Sequence, residues 1–209
     1  MYLFTRQAVL GGDPAAAQQW AVRIGAHVTA TCSTPIAVWA GEFGSPVGSV
    51  TWSAQVESLA GMSVFDPLGG DAAYAAMVTD GAAFSTGPHV ATLRSPLTPP
   101  RAGDSPAIGS IATVTVAVAA GGKLAKAAEW GLAVSAHVEK ITGEPISFMA
   151  DAFGAFGQFT WIGVSADAAA ADAANDKINA DPAYLEMLDQ AGGLFVDAMA
   201  HRSLSVRIG

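Results

Sequence analysis

Two histidines occur in matching contexts, 110 residues apart in the sequence. His27 ends the stretch WAVRIGAH, which begins at Trp20, and His137 ends the stretch WGLAVSAH, which begins at Trp130. On a helix, the Trp and the His of each stretch lie together on one flank of the apolar stripe. An imidazole there can act as a general base, donate a hydrogen bond or bind heme iron. It can equally make a structural hydrogen bond near the helix end, where the helix dipole favours a partly positive ring.

Six further residues are expected to contact a bound ligand, and four of them are tryptophans that can also serve as core anchors. The other two are Arg6 and Glu42, which have no charged counterpart in the second half of the chain. The repeat places Val116 and Ala152 at those positions. Because a charge on an apolar strand face must be paired or solvated, Arg6 and Glu42 either form an ion pair that lines a pocket or lie at a solvated edge. The predicted ligand contacts are Trp20, Trp130, Arg6, Glu42, Trp52 and Trp161.

Signals for several other chemistries are missing from the sequence. It has no Cys or His pair at metal-ligand spacing, no glycine-rich phosphate loop before a helix and no G-x-S-x-G elbow. No metal site is therefore predicted. Asp151, which stands where the first copy has Gly41, is a further unmatched charge. His89 and His201 flank the last strand of each copy and are not aligned with each other.

The elements that must position these residues are repeated as well. Besides the two stretches, the same spacing matches Gly11-Gly12 with Gly121-Gly122, and Pro35-Ile36 with Pro145-Ile146. An internal repeat of this length indicates two copies of one folding unit. Alternating apolar residues, an Asp-Pro helix start and a hairpin predict the order β-α-β-β-α-β in each copy. The predicted units are residues 1–95 and 110–209, joined by a Pro-, Gly- and Ser-rich linker over 96–109.

Composition limits the classes of function. The chain has 209 residues, of which 51% are hydrophobic and 13% charged, and its formal net charge is −8. It can bury a substantial core, and its few basic residues argue against nucleic-acid and anionic-membrane partners. No apolar run is long enough for a membrane span, and the N-terminal residues do not have the pattern of a signal peptide. The single cysteine, Cys32, fits a reducing compartment, so a cytoplasmic location is expected.

A strand, an Ala-rich stretch and an Asp-Pro helix start follow one another in the second copy, and this succession resembles a known superfamily. A strand ending at Trp161 is followed by the Ala-rich stretch ADAAAADAANDKINA and then by Asp181-Pro182-Ala183-Tyr184. This order resembles the dimeric α/β barrel superfamily, near its NIPSNAP and EthD-like branches. The first copy keeps Trp52 and Tyr74. The resemblance implies an α+β fold in which two tandem ferredoxin-like units form an intramolecular dimeric α/β barrel. It also implies a wide choice of activities, since the superfamily includes cofactor-independent monooxygenases, heme-degrading oxygenases, chlorite dismutases and muconolactone isomerases.

Two functions follow as expectations. In the first, a cavity binds a small apolar organic molecule, with His27 or His137 as the base of a monooxygenase or isomerase reaction. No cofactor is predicted for this reaction, although heme is a sub-case if a histidine supplies the axial ligand. In the second, the protein is a noncatalytic interaction or assembly protein. The low charge fraction favours further association of such a protein into homo-oligomers.

Overall fold

The computed structural model describes residues 1–99 and 105–209, so residues 100–104 of the predicted linker lie outside the described residues. The same order of elements occurs in both halves of the chain, and the predicted α+β fold class is confirmed. The first half contains β1 (Tyr2–Val9), α1 (Pro14–Cys32), β2 (Ala37–Phe43), β3 (Ser49–Val56), a 3-10 helix (Ala60–Gly70), α2 (Ala72–Gly81) and β4 (Val90–Pro96). The second half contains β5 (Ile111–Val118), α3 (Leu124–Thr142), β6 (Ile146–Phe153), β7 (Gln158–Ser165), α4 (Ala168–Ala180), α5 (Pro182–Gln190) and β8 (His201–Arg207).

Aspartates set the starts of α1 and α5, as the sequence predicts. The Asp13 carboxylate accepts a hydrogen bond from the backbone N–H of Ala16 at 2.8 Å, and Pro14 occupies the first turn of α1. Asp181 caps α5 in the same way and accepts from the N–H of Tyr184 at 2.7 Å. A proline can start a helix because the first backbone N–H groups have no partner within the helix. The single residue Asp181 therefore separates α4 from α5.

The eight strands form one closed antiparallel barrel. The strand order around it is β1-β3-β2-β8-β5-β7-β6-β4, and β4 returns to β1. Each half contributes four neighbouring strands, and the two four-stranded sheets are joined where β2 pairs with β8 and where β4 pairs with β6. An isolated ferredoxin-like sheet would leave β2 and β4 as unpaired edges. Closure gives both edges a partner and leaves every strand with two neighbours.

Alternation along the strands divides the side chains between two environments. One face of each strand is covered by helices, and the other faces the barrel lumen. On the helix-covered face of the first half, Trp20 and Trp52 meet edge to face with ring centroids 5.8 Å apart. In the second half Trp130 and Trp161 have the same arrangement at 6.0 Å. The helices therefore pack on the sheets through matched tryptophan pairs.

The indole N–H groups of these tryptophans tie the helices to each other and to the sheet. Trp20 Nε1 donates to the Met77 carbonyl oxygen, and Trp130 Nε1 donates to that of Met187, each at 2.8 Å. Trp52 Nε1 donates to the carbonyl oxygen of Ala21 at 2.9 Å. These three indole N–H groups are thus satisfied without contact with the lumen.

The strand register corrects one part of the predicted alignment. Trp52 lies opposite Arg6, and the matching Trp161 lies opposite Thr115. The structural counterpart of Arg6 is therefore Thr115, one residue before the Val116 expected from the sequence. The alignment was wrong here because the chain length between the repeated strand and helix differs by one residue, and a shift of one residue reverses the face of every side chain.

Gly131 gives a test of the close approach of α3 to its sheet. A Cβ added at Gly131 would collide with the ring of Phe148, which is fully buried and stacked on Trp161. We expect Gly131→Ala to lower the free energy of unfolding by about 1–2 kcal/mol, since overpacking outweighs the gain in helix propensity. Urea unfolding would measure it. Gly121→Ala is the matched control because a Cβ there meets no atom within 4 Å. Equal stability of the two variants would contradict the expected collision.

Candidate ligand site in the barrel lumen

The lumen of the barrel holds a cavity of about 680 Å³. Its wall is formed by alternate residues of all eight strands, and the turn Gly44–Pro46 and His201 line it where β8 begins. A space of this size is in the range of small-molecule sites. The lumen, rather than the space between helix and sheet, is therefore the candidate site.

The two sheets supply different chemistry to the cavity wall. The central strands of the first half, β1 and β3, present hydroxyl and amide groups, whereas β5 and β7 present aliphatic groups at the corresponding positions. When the two strand pairs are aligned at Trp52 and Trp161, the neighbours Thr5 and Ser53 of the first half correspond to the neighbours Val114 and Ile162 of the second. In the same way, Gln7 corresponds to Val116. The central strands thus line the lumen with polar groups in the first half and apolar groups in the second, and β6 and β8 add further polar groups, among them Ser147, Ser203 and Ser205.

Trp39 adds an aromatic surface to the cavity. Its indole packs with Ala37, Ala112 and Val164, and its Nε1 donates to the hydroxyl of Ser53 at 3.0 Å. The side chain is 9% exposed, although it lines the cavity. Because the N–H already has a partner, Trp39 offers a ligand its ring rather than a hydrogen bond.

An ion pair lies at the junction between β4 and β6. Arg94 and Asp151 are direct cross-strand neighbours, and Arg94 Nε donates to Asp151 Oδ1 at 3.0 Å. The side chains are 14% and 1% exposed, respectively. Arg94 Nη1 also donates to Thr5 Oγ1 at 3.0 Å, and Gln158 Nε2 donates to Asp151 Oδ2 at 3.1 Å. Both charged groups are therefore held in fixed positions by several hydrogen bonds.

Burial affects the ionisation of both partners. Desolvation raises the pKa of the Asp151 carboxyl, and the nearby Arg94 guanidinium offsets part of this rise. Desolvation also lowers the pKa of Arg94, which Asp151 counteracts. Because a guanidinium group stays protonated in proteins, we treat the pair as ionised at neutral pH. A charged pair is then present in the cavity wall.

The two histidines of the repeated stretches do not reach this cavity. His27 Nε2 lies 2.7 Å from Asp71 Oδ2, and His137 Nε2 lies 2.9 Å from Asp181 Oδ1. Asp71 and Asp181 are the N-caps of α2 and α5. Each histidine therefore connects the first helix of its half to the start of a later helix. This placement favours the structural interpretation of both histidines over the catalytic one.

The six predicted ligand contacts also lie away from the cavity. Trp20, Trp130, Trp52 and Trp161 form the helix-covered cores described above. Arg6 and Glu42 are exposed on that same side of the sheet, and no salt bridge joins them within the described part of the chain. The role of these six residues as ligand contacts stays a prediction that the position of the cavity does not favour. Packed tryptophans fill the space between helix and sheet, and the open volume lies on the opposite face of the sheet.

Arg94, Trp39 and Thr5 are the cavity residues that sequence reasoning missed. Asp151 was noted as an unmatched charge, but its partner was not found. Strand alternation carries a usable signal, since Val90, Thr92 and Arg94 share one face of β4 and all three line the cavity. The pairing of β4 with β6 joins strands 57 residues apart. No local pattern specifies it.

Comparison with known proteins rests on structure alone. No protein-family model and no curated protein matches the sequence. A "putative monooxygenase" from Fusobacterium nucleatum superposes with a TM-score of 0.74 at 8% identity, covering 100% of this chain and 92% of that one. The chain has the dimeric α/β barrel fold. A heme-degrading enzyme from Listeria monocytogenes is similar with a TM-score of 0.52 at 7% identity, covering 99% of each chain. At these identities the likeness shows the fold and leaves the function open.

An anthrone oxidase-like protein is also similar, with a TM-score of 0.66 at 10% identity, and covers 100% of this chain and 91% of that one. The NIPSNAP and EthD-like resemblance stays a prediction.

No helix among residues 1–99 and 105–209 is long and apolar enough to cross a membrane. Within the same residues, no group of three or more His, Cys, Asp or Glu side chains is placed to hold a metal ion.

The capping aspartates should make stability depend on acid pH. The pKa of Asp71 is lowered by the Tyr74 backbone N–H and by His27, and the pKa of Asp181 is lowered by His137 and the Tyr184 N–H. A lowered folded pKa adds stability above the unfolded value, about 3.9, and this stability is lost as pH falls through the folded value. We expect a double Asp71→Asn, Asp181→Asn variant to lose less stability than wild type between about pH 5 and pH 2.5. Urea unfolding across this range would measure the loss, and parallel profiles would contradict the expectation.

Proposed function

We propose that this protein binds one small, mainly apolar organic molecule in the barrel lumen. The observation that supports the proposal is the cavity of about 680 Å³, which is lined by aliphatic side chains of β5 and β7 and by hydroxyl and amide groups of β1 and β3. An apolar molecule gains from leaving water in proportion to its buried apolar area, and a few polar groups fix its orientation. The apolar surface is provided by Val114, Val116 and Ile162. Hydrogen bonds can be made by Arg94 and Thr5.

The reaction class we propose is oxygenation or isomerisation of the bound molecule without a nucleotide. Support comes from the monooxygenase description of the Fusobacterium nucleatum protein with the same fold and from the chemistry of the lumen. An N–H group of Arg94 can donate a hydrogen bond to a substrate oxygen and so orient the bound molecule. Among the described residues, the one histidine that lines the cavity is His201. Its imidazole can accept a proton from the substrate. His27 and His137 do not serve as the base in this proposal, because their Nε2 atoms are bound to aspartates.

Heme does not fit the residues of the lumen well. Among the cavity-lining side chains, His201 and Met149 are of a type that binds heme iron. His201 is exposed, and Arg94, the cation that a propionate would need, is already bound to Asp151. We therefore propose no step through heme, although some proteins of this fold act on it.

Blocking the lumen tests the proposed site. Ser203 faces the cavity from β8, so a Phe in its place would fill volume that the ligand needs. We expect wild-type protein to bind 2-naphthamide, an uncharged aromatic probe, and Ser203→Phe to weaken binding by about tenfold or more, which corresponds to about 1.4 kcal/mol. Isothermal titration calorimetry would measure both affinities. Failure of the wild type to bind the probe would count against the proposal.

Two controls separate the lumen from the helix-covered side. Ser203→Ala keeps the cavity open and should bind the probe as wild type does. A double His27→Gln, His137→Gln variant changes only the links between helices and should also keep the wild-type affinity. If the histidine variant lost binding while Ser203→Phe kept it, the site would belong to the helix-covered side. Native mass spectrometry of the isolated protein would identify a retained natural ligand.

Assembly is the second candidate function, and exposed apolar residues at two strand turns favour it. Phe43 and Val47 flank the turn between β2 and β3 and are 72% and 97% exposed. Phe153 and Phe156 flank the turn between β6 and β7 and are 58% and 93% exposed. Exposed apolar groups at related positions suit association into a homo-oligomer. Light scattering that gives a monomer at high concentration would count against this candidate.

A further inference from the structure

We propose that Asp151 determines the charge preference of the lumen: by neutralising Arg94 it makes the site select uncharged ligands over carboxylates. The inference rests on the proposed function, because it specifies the class of molecule that the same cavity takes. Among residues 1–99 and 105–209, Arg94 is the one Lys or Arg side chain that lines the cavity. A lone buried guanidinium would attract an anionic ligand strongly. Whether this charge is available to a ligand depends on the groups that Arg94 contacts in the wall.

The Arg94 charge is compensated inside the wall. Asp151 Oδ1 accepts from Arg94 Nε at 3.0 Å, and the Asp151 side chain is 1% exposed. Gln158 and the backbone of Ala155 hold the carboxylate from other directions. A ligand carboxylate would therefore have to approach a pair with no net charge, and it could not easily displace a partner fixed by several hydrogen bonds. The cost of removing the ligand carboxylate from water would then not be offset.

An uncharged ligand meets more favourable groups. The hydrogen bonds of Arg94 to described residues use Nε and Nη1, and the Nη2 amino group has no such partner within residues 1–99 and 105–209. The Thr5 hydroxyl, which accepts from Nη1, lies 2.6 Å from the Thr92 hydroxyl. A carbonyl, amide or hydroxyl oxygen can accept a hydrogen bond from Nη2 without bringing a second negative charge near Asp151. The neutral class thus receives a directed polar contact at a lower desolvation cost.

The other junction of the barrel has no ion pair at the matching position. Its cation Arg207 lies opposite Trp39 and is not one of the residues that line the cavity. Where β2 pairs with β8, Gly41 lies opposite Ser205 at the position that corresponds to Asp151 opposite Arg94. The chain as a whole carries a net charge of −8, which also disfavours the approach of anions. The preference of the lumen for uncharged ligands therefore depends on a single carboxylate, and removing its charge should reverse the preference.

The test compares 2-naphthamide with 2-naphthoate, two probes with the same ring that differ in charge at neutral pH. For wild type we expect the amide to bind at least about tenfold more tightly than the carboxylate in calorimetric titrations. Asp151→Asn keeps the size of the side chain and leaves Arg94 uncompensated, so its carboxylate affinity should rise by at least about tenfold relative to its amide affinity. Asp172→Asn, an exposed change of equal charge in α4, is the matched control and should behave as wild type.

The outcomes are distinguishable. If neither probe binds wild type, the proposed function fails and the inference fails with it. If both probes bind wild type equally, or if the carboxylate binds better, the site stands and the inference is overturned. A double Arg94→Gln, Asp151→Asn variant removes both charges and should not gain carboxylate binding, and a gain there would overturn the role of Arg94. If Asp151→Asn does not fold, the wild type and this double variant decide.

Discussion

Edge pairing between the two sheets is the constraint on which the rest of this structure depends. A four-stranded ferredoxin-like sheet has two open edges and one face without helices. The open edges gain partners, and the uncovered face is turned away from solvent, when β2 pairs with β8 and β4 pairs with β6. Closure of the barrel turns the two uncovered faces inward. The lumen and its cavity are a direct consequence of how the edges are satisfied.

The two faces of each strand then have different roles. On the helix-covered side, the residues that hold the helices match between the halves: Trp20 and Trp130 donate to equivalent carbonyl groups, and His27 and His137 bind equivalent capping aspartates. The lumen face differs between the halves, with hydroxyl and amide groups on β1 and β3 and aliphatic groups on β5 and β7. Matched residues thus hold the helices in place, and unmatched residues shape the cavity. A repeated motif marks the part of this molecule that must fold in the same way twice.

The Arg94–Asp151 pair lies at one of the two junctions that close the barrel, which links fold and site. A buried ion pair adds little net stability, because desolvation of the two charges offsets their attraction. Loss of one partner is costly, since the other charge is left uncompensated in the wall. The pair is therefore better understood through its effect on what can enter the lumen than through its contribution to stability. The opposite junction has no ion pair at the matching position, where Gly41 lies opposite Ser205.

The sequence by itself determined the elements and the fold class of this protein. Alternation, the Asp-Pro starts and the glycine breaks act within a few residues of each other, so the bounds of α1, α3 and α5 follow closely from local chemistry. The repeat and the resemblance to the dimeric α/β barrel superfamily added the barrel. Only the tertiary structure decided which face of each strand is the lumen. The two faces of β1 and β3 both contain polar and apolar residues, and a shift of one residue in the alignment moved Arg6 to the wrong partner. Only the tertiary structure, too, brought Arg94 beside Asp151, because pairing between strands 57 residues apart depends on closure of the whole barrel.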